Sequence, residues 1–126
     1  YIPVKESTAN VKLPQGILHF HIKPIHKVKS FKDDPNIAYL DHGALEYPLL
    51  LRRWKKGDYF YPIGLGKKKK VSDFFTDNKL SLPEKEKTWL LFSGERLAYI
   101  IGHRSDERFK VKPGTEKVVV VKFKQR

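Results

Sequence analysis

Two short runs in this chain are apolar on both sides of a strand. Residues 88–92 (TWLLF) and 97–101 (LAYII) lack the in-out alternation of a half-wetted strand, and Ser93-Gly94-Glu95-Arg96 between them is a hairpin turn. They are therefore expected to be central strands. Residues 118–121 are a third such run, with Lys122 and Lys124 marking an exposed end. Residues 17–23 do alternate, with Leu18, Phe20 and Ile22 on one face and His19, His21 and Lys23 on the other. Further strands are expected over residues 26–29, 36–40, 49–53 and 109–112, with Pro24 interrupting the ladder before His26. Asp33-Asp34-Pro35-Asn36 and Pro113-Gly114 read as turns.

Only one stretch switches to helical spacing. Val71, Phe74 and Phe75 fall on one face of a helix over residues 71–79, with Ser72 or a neighbour as N-cap. A second short helix is expected from Ser81, because Ser81 and Glu84 stand at capping-box spacing and Pro83 suits a first turn. The two helices are adjacent in sequence and no β-α-β alternation is present. The fold class is thus mainly β (α+β): a β-sandwich or barrel-like core of about eight strands with two short helices packed on one side. A chain of 126 residues makes one domain. Residues 1–15 show no clear pattern and read as a loosely packed lead-in, so the organisation is weakest over residues 1–35. The chain begins at Tyr1 and contains no Met, which reads as a piece of a longer protein.

Several chemistries are excluded or left without support. With no cysteine there is no disulfide scaffold, thiolate zinc site or cysteine nucleophile, which suits a reducing cytoplasm. No apolar run approaches the roughly 20 residues that span a bilayer, so no membrane partner is expected. A Walker A loop fails: five positions before Gly66 stands Tyr61, and Lys67 is followed by Lys68, not Ser or Thr. His19 and His21 share a strand face and His26 follows, but a metal site needs a third and fourth ligand. They read as histidines on a solvated face. Asp41 reads as a cap before Gly43, and Asp106 and Glu107 as partners of Arg104 and Arg108. No catalytic residue is assigned.

Charge is the positive signal. The net charge is +12, and residues 51–70 (LRRWKKGDYFYPIGLGKKKK) hold eight basic residues against one acid, Asp58. Such a concentration suits a polyanion. Lys67, Lys68, Lys69 and Lys70 run into the predicted helix, where first-turn amides and the helix dipole would add to a phosphate trap. Trp54, Tyr59 and Phe60 read as packing residues.

The same stretch resembles the C-terminal domain of bacterial tRNA(Ile)-lysidine synthetase. The residues that carry the likeness are Arg52, Gly57-Asp58, Phe60, Pro62-x-Gly64, Lys69-Lys70 and Asp73-Phe74-Phe75. A second block follows in order: Gly102, Arg104, Asp106, Arg108 and Phe109. The likeness covers about residues 36–112; Leu65 stands where many members have Met. It implies a β-rich domain similar to one in the phenylalanyl-tRNA synthetase β subunit. It also implies a parent enzyme that uses ATP and Mg to join lysine to the wobble cytidine of tRNA(Ile). In that enzyme the nucleotide site lies in an N-terminal catalytic domain, and the C-terminal domain holds the acceptor stem without doing chemistry. The implied partners are tRNA(Ile) and the catalytic domain of the same chain. The expected phosphate contacts are Arg52, Arg53, Lys55, Lys56, Lys67, Lys68, Lys69, Lys70, Arg104 and Arg108. The alternative is a docking or homodimerisation module of the same enzyme with no direct RNA contact.

Overall fold

The computed structural model describes residues 1–126. Eleven strands and two α-helices follow one another as β1 (Ile2–Val4), β2 (Asn10–Leu13), β3 (Gly16–Pro24), β4 (Ile37–Asp41), β5 (Leu49–Arg53), β6 (Tyr59–Phe60), β7 (Lys69–Lys70), α1 (Val71–Asp77), α2 (Leu82–Lys87), β8 (Trp89–Ser93), β9 (Arg96–Ile100), β10 (Arg104–Ser105) and β11 (Lys117–Gln125). One sheet has the order β1-β5-β8-β9-β10 and a second has the order β2-β3-β11-β4. The third is the small ribbon β6-β7. All strand pairs are antiparallel.

The doubly apolar hairpin sits where its sequence requires. β8 is the middle strand of the five-stranded sheet, and β9 is its neighbour. On one face, Leu91, Ala98, Tyr99 and Ile101 join a core shared with Leu18, Leu40, Val119 and Val121 of the four-stranded sheet. On the other face, Leu90, Phe92, Leu97 and Ile100 pack against Phe60 and against Val71, Phe74 and Phe75 of α1. The result is three layers: sheet, sheet, and a cover of α1 with the β6-β7 ribbon. A fully buried Leu or Phe contributes about 1.5–3 kcal/mol by transfer out of water, so both faces of the hairpin are strongly specified.

The hairpin carries one irregularity. Leu91 pairs with Tyr99 and Phe92 with Leu97, which leaves Ala98 as an extra residue on β9. The alternation therefore slips, and the adjacent Ala98 and Tyr99 both enter the same core. The carbonyl oxygen of Ala98 accepts the backbone N–H of Asp106 at 2.9 Å.

α1 has seven residues, too few for a helix to persist alone in water. Phe74 and Phe75 hold it in place, with the rings of Phe60 and Phe74 edge to face at 5.4 Å and those of Trp54 and Phe75 at 5.3 Å. α2 carries the expected capping box: Ser81 Oγ accepts the Glu84 N–H, and the Glu84 carboxylate accepts the Ser81 N–H. It buries no residue.

Four expectations are corrected. Residues 1–15 are not a loose lead-in, because β1 and β2 within them join the two main sheets and bury Val4 and Leu13. Residues 26–29 do not form a strand. β3 runs through Pro24, which pairs with Lys117, and a 3-10 turn at Ile25–Lys27 then ends the ladder. Residues 109–112 also form no strand: Asp106 caps a 3-10 turn at Glu107–Phe109, and a single bridge joins Leu40 to Lys110. The N-cap of α1 is Lys70, with no side-chain cap, not Ser72.

Candidate nucleic-acid interface

The cationic segment is anchored from beneath. Phe60 and Pro62 are buried, and Val71, Phe74 and Phe75 follow in the same core as Phe60, while Arg53, Lys55, Lys56, Lys67, Lys68 and Lys70 are exposed. The β6-β7 ribbon sets the geometry: Tyr59 pairs with Lys70, and Phe60 with Lys69. Between the two strands the chain reverses through Gly64 and Gly66, at φ of 87° and 76°. Beyond each glycine and its two chain neighbours, no heavy atom lies within 4 Å of where a Cβ would stand, so glycine is needed there for its backbone angle, not for space.

Two aspartates, one half-buried and one fully buried, organise the arginines. Asp58 is the single acid inside the cationic run, and its carboxylate is only 11% exposed. It accepts both terminal nitrogens of Arg52, at 2.7 and 2.9 Å, and the backbone N–H of Lys55 at 2.6 Å. The guanidinium of Arg52 also lies over the Phe92 ring at 4.2 Å. The Asp58 hydrogen bond raises the Arg52 pKa further above its ordinary value. The second aspartate, Asp106, has no exposed surface. It accepts the Tyr61 N–H at 2.8 Å, the Arg108 N–H at 2.7 Å, and two guanidinium nitrogens of Arg108 at 3.0 and 2.9 Å.

Asp106 joins two distant parts of the chain. Besides its bond to Tyr61, the backbone of Glu107 donates to Tyr61 O at 2.6 Å, and Ile63 N–H donates to Ser105 O at 3.3 Å. Arg104 donates to the Ile63 carbonyl at 3.2 Å, and the Arg108 guanidinium covers the Tyr61 ring at 4.6 Å. The loop that leads to the lysines is therefore docked on the segment that carries Arg104 and Arg108.

The ten predicted contacts separate into two groups. Arg52, Lys69 and Arg108 are held by carboxylates: Asp58, Asp77 and Asp106 respectively. They shape the loop before they can meet any ligand. Arg53, Lys55, Lys56, Lys67, Lys68, Lys70 and Arg104 have no carboxylate partner. Within this second group, Arg53 lies over Trp89, Lys55 over Tyr1 and Lys68 over Tyr59, at 5.3, 4.7 and 4.3 Å. These aromatic seats hold the cations without neutralising them. Arg104 pairs with neither Asp106 nor Glu107, contrary to the sequence expectation; Glu107 pairs with Lys110 instead.

The helix start adds less than its sequence suggests. Val71 N–H, a first-turn amide, donates to Asp58 O at 2.9 Å, and Asp73 stands in the same turn. The positive field comes from the side chains. Tyr59, expected from the sequence to be a packing residue, contributes to the surface instead: it is 42% exposed and seats Lys68. Its position one residue before a buried Phe in a two-residue strand is the signal that could have placed it there.

His21 and His26 are exposed, and two other histidines have partners away from the cationic run. His19 shares a hydrogen bond with Asn10 at 2.5 Å, and His42 contacts Glu6 at 2.5 Å. No group of three or more His, Cys, Asp or Glu is placed to hold a metal ion. Asp41 accepts the Gly43 N–H at 3.0 Å, as its position before that glycine implies. No helix is long and apolar enough to cross a membrane.

Residues 49–122 match the family model described as TilS substrate C-terminal domain. Among curated proteins, the tRNA(Ile)-lysidine synthase of Parabacteroides distasonis is 47% identical over 79% of this chain, and that of Bacteroides thetaiotaomicron 42% identical over 68%. These stretches are 22% and 20% of the two relatives, so the chain spans about a fifth of their length. A solved structure described as the crystal structure of TILS C-terminal domain superposes with a TM-score of 0.82 at 17% identity, covering 98% of this chain and 93% of that one. That likeness is one of fold.

Proposed function

Since the chain belongs to the TilS substrate C-terminal domain family, we propose that it grips tRNA(Ile) by the phosphate backbone of the acceptor stem and so presents the distant wobble cytidine to an N-terminal catalytic domain. In this reading the lysine ligation, with its ATP and Mg, takes place in the cytoplasm in that other domain, and none of the chemistry falls to this chain. Its contribution is positional: binding energy gained at a remote part of a substrate is used to orient the reacting end. Duplex RNA is met mainly through phosphates and 2′-hydroxyls, which asks for spaced cations on a firm base and no base-reading pocket. The observation that carries the reading is that seven of the predicted contacts stay free of carboxylates, on the segment from Arg53 to Lys70 that Asp58 and Asp106 pin and on β10, where that segment docks.

The test is a salt titration of this chain on an acceptor-stem duplex of tRNA(Ile). Each phosphate neutralised contributes a slope of roughly −0.7 to −0.9 in log affinity against log salt, so four or more contacts give a slope of about −3 or steeper. A flat response would return the domain to the docking or dimerisation reading.

A further inference from the structure

Beside the lysine loop lies a groove of about 750 Å³, formed by the 31–35 segment, Tyr39, the Ile63 loop, and residues 103–105 and 110–111. We propose that this groove receives one unpaired nucleotide of the RNA held on the lysine loop, with its base stacked on Phe31 and its phosphate met by Lys32, Arg104 and Lys110. The inference rests on the RNA-binding reading and extends it from a duplex to a single-stranded neighbour.

Phe31 is 52% exposed and lines this groove. It is nevertheless held in place: its ring meets Tyr39 edge to face at 4.9 Å, and the Tyr39 hydroxyl accepts the backbone N–H of Lys32 at 3.1 Å. A ring that is exposed yet fixed is a stacking platform, since every base has a π-face and stacking needs no base-specific contact. The volume lies within the roughly 300–1,000 Å³ typical of ligand sites.

The polar lining suits a nucleotide over an apolar peptide. Lys32, Arg104 and Lys110 stand on the walls. Arg104 spends one nitrogen on the Ile63 carbonyl and keeps its other donors. Lys110 is paired with Glu107, an exposed contact that a phosphate can replace. Asp33 and Asp34 line the same groove, and Asp34 already accepts the Asn36 N–H at 2.9 Å. A carboxylate beside a cation favours a ligand that offers both an amino edge and a phosphate, as a cytosine, adenine or guanine nucleotide does. The groove is also continuous with the cationic loop. Ile63 belongs both to this wall and to the loop that leads to Lys67 and Lys68, and Arg104 on the same wall donates to its carbonyl, so one RNA can occupy both places.

The experiment compares two RNAs of equal duplex length, one blunt and one with a four-nucleotide 3′ single-stranded overhang, by fluorescence anisotropy with this chain and its Phe31→Ala variant. The expected result is that the overhang RNA binds roughly tenfold more tightly than the blunt one. F31A should erase that difference and leave blunt-duplex affinity unchanged. Equal binding of the two RNAs by the parent chain overturns the groove proposal and leaves the duplex reading intact. A preference that survives F31A also overturns it, because the overhang is then held elsewhere. Failure of both RNAs to bind removes the duplex reading and the groove with it.

Discussion

The carboxylate of Asp106 takes the backbone N–H of Tyr61 at 2.8 Å, so a residue with no exposed surface fixes the start of a loop 45 positions earlier in the chain. The same carboxylate carries Arg108 and caps its own turn. Replacing Asp106 with Asn removes the charge that Arg108 answers and places an amide N–H₂ where only donors point. Breaking a buried pair from one side costs about 3–5 kcal/mol, and the partial exposure of Arg108, at 26%, puts the expectation near the low end, about 3 kcal/mol. Thermal unfolding of D106N reads this directly; an unchanged midpoint would mean that the junction is not held by charge.

Gly16 makes a second, independent test of the fold. A Cβ there would stand 2.1 Å from the carbonyl oxygen of Lys124 and 2.9 Å from the Cα of Gln125. Both are backbone atoms, which cannot swing away as a side chain can. Gly16 also opposes Gln125 in the longest ladder of the molecule and Leu13 on its other side. Gly16→Ala should therefore cost about 2–3 kcal/mol, the upper part of the range for forced overpacking, and lower the urea midpoint. A midpoint equal to that of the parent would place the end of β11 away from β3.

His103 sets an acid limit on stability. Burial holds its imidazole below the ordinary value of 6.5, with Glu84 opposing that shift. The folded state thus prefers the neutral ring, and between the lowered value and 6.5 the unfolded chain binds more protons. Stability is full above about 6.5 and declines as the pH falls below it, until the folded ring itself is protonated. The lowered carboxyls of Glu84 and Glu107 act in the same direction but only below their ordinary 4.5. A series of urea melts from about pH 7 to about pH 5 should show falling stability in the parent chain and a flatter line in His103→Gln. Parallel slopes would show that His103 does not carry this pH dependence.

The central hairpin, the α1 face and the Ser81 cap are legible in the sequence because each repeats a pattern over several residues: apolar on both sides, apolar at helical spacing, or a capping pair. β1 and β2 are not legible for the opposite reason. Each offers three or four residues and buries one fully, Val4 or Leu13, and no period can be read from a single buried position. Residues 109–112 mislead because Phe109 is buried as a strand residue would be, yet its burial comes from a turn that Asp106 caps. At the interface the sequence shows where the cations are but not which of them are occupied. Asp58 is the available signal: a lone acid in a basic run is more easily explained as a structural partner than as a diluent, and six residues of chain are enough to turn it back onto Arg52.

That division between shaping and contacting cations separates two kinds of variant. Lys67, Lys68 and Lys70 are exposed and carry no carboxylate. Changing all three to Glu should move stability by about 1 kcal/mol or less, as surface substitutions do. RNA affinity should fall at least tenfold, and the salt slope should shrink by up to about 0.9 for each phosphate no longer neutralised. Arg52→Lys should behave in the reverse way. A lysine cannot reproduce the fork that Asp58 receives at 2.7 and 2.9 Å, so about 1–2 kcal/mol of stability is lost while affinity per folded molecule stays near that of the parent. The pair is measured with one melt and one salt series for each protein. If the triple-lysine variant unfolds and its folded fraction still binds normally, the lysines are scaffold; if R52K binds weakly at full stability, Arg52 is a contact and Asp58 merely its resting partner.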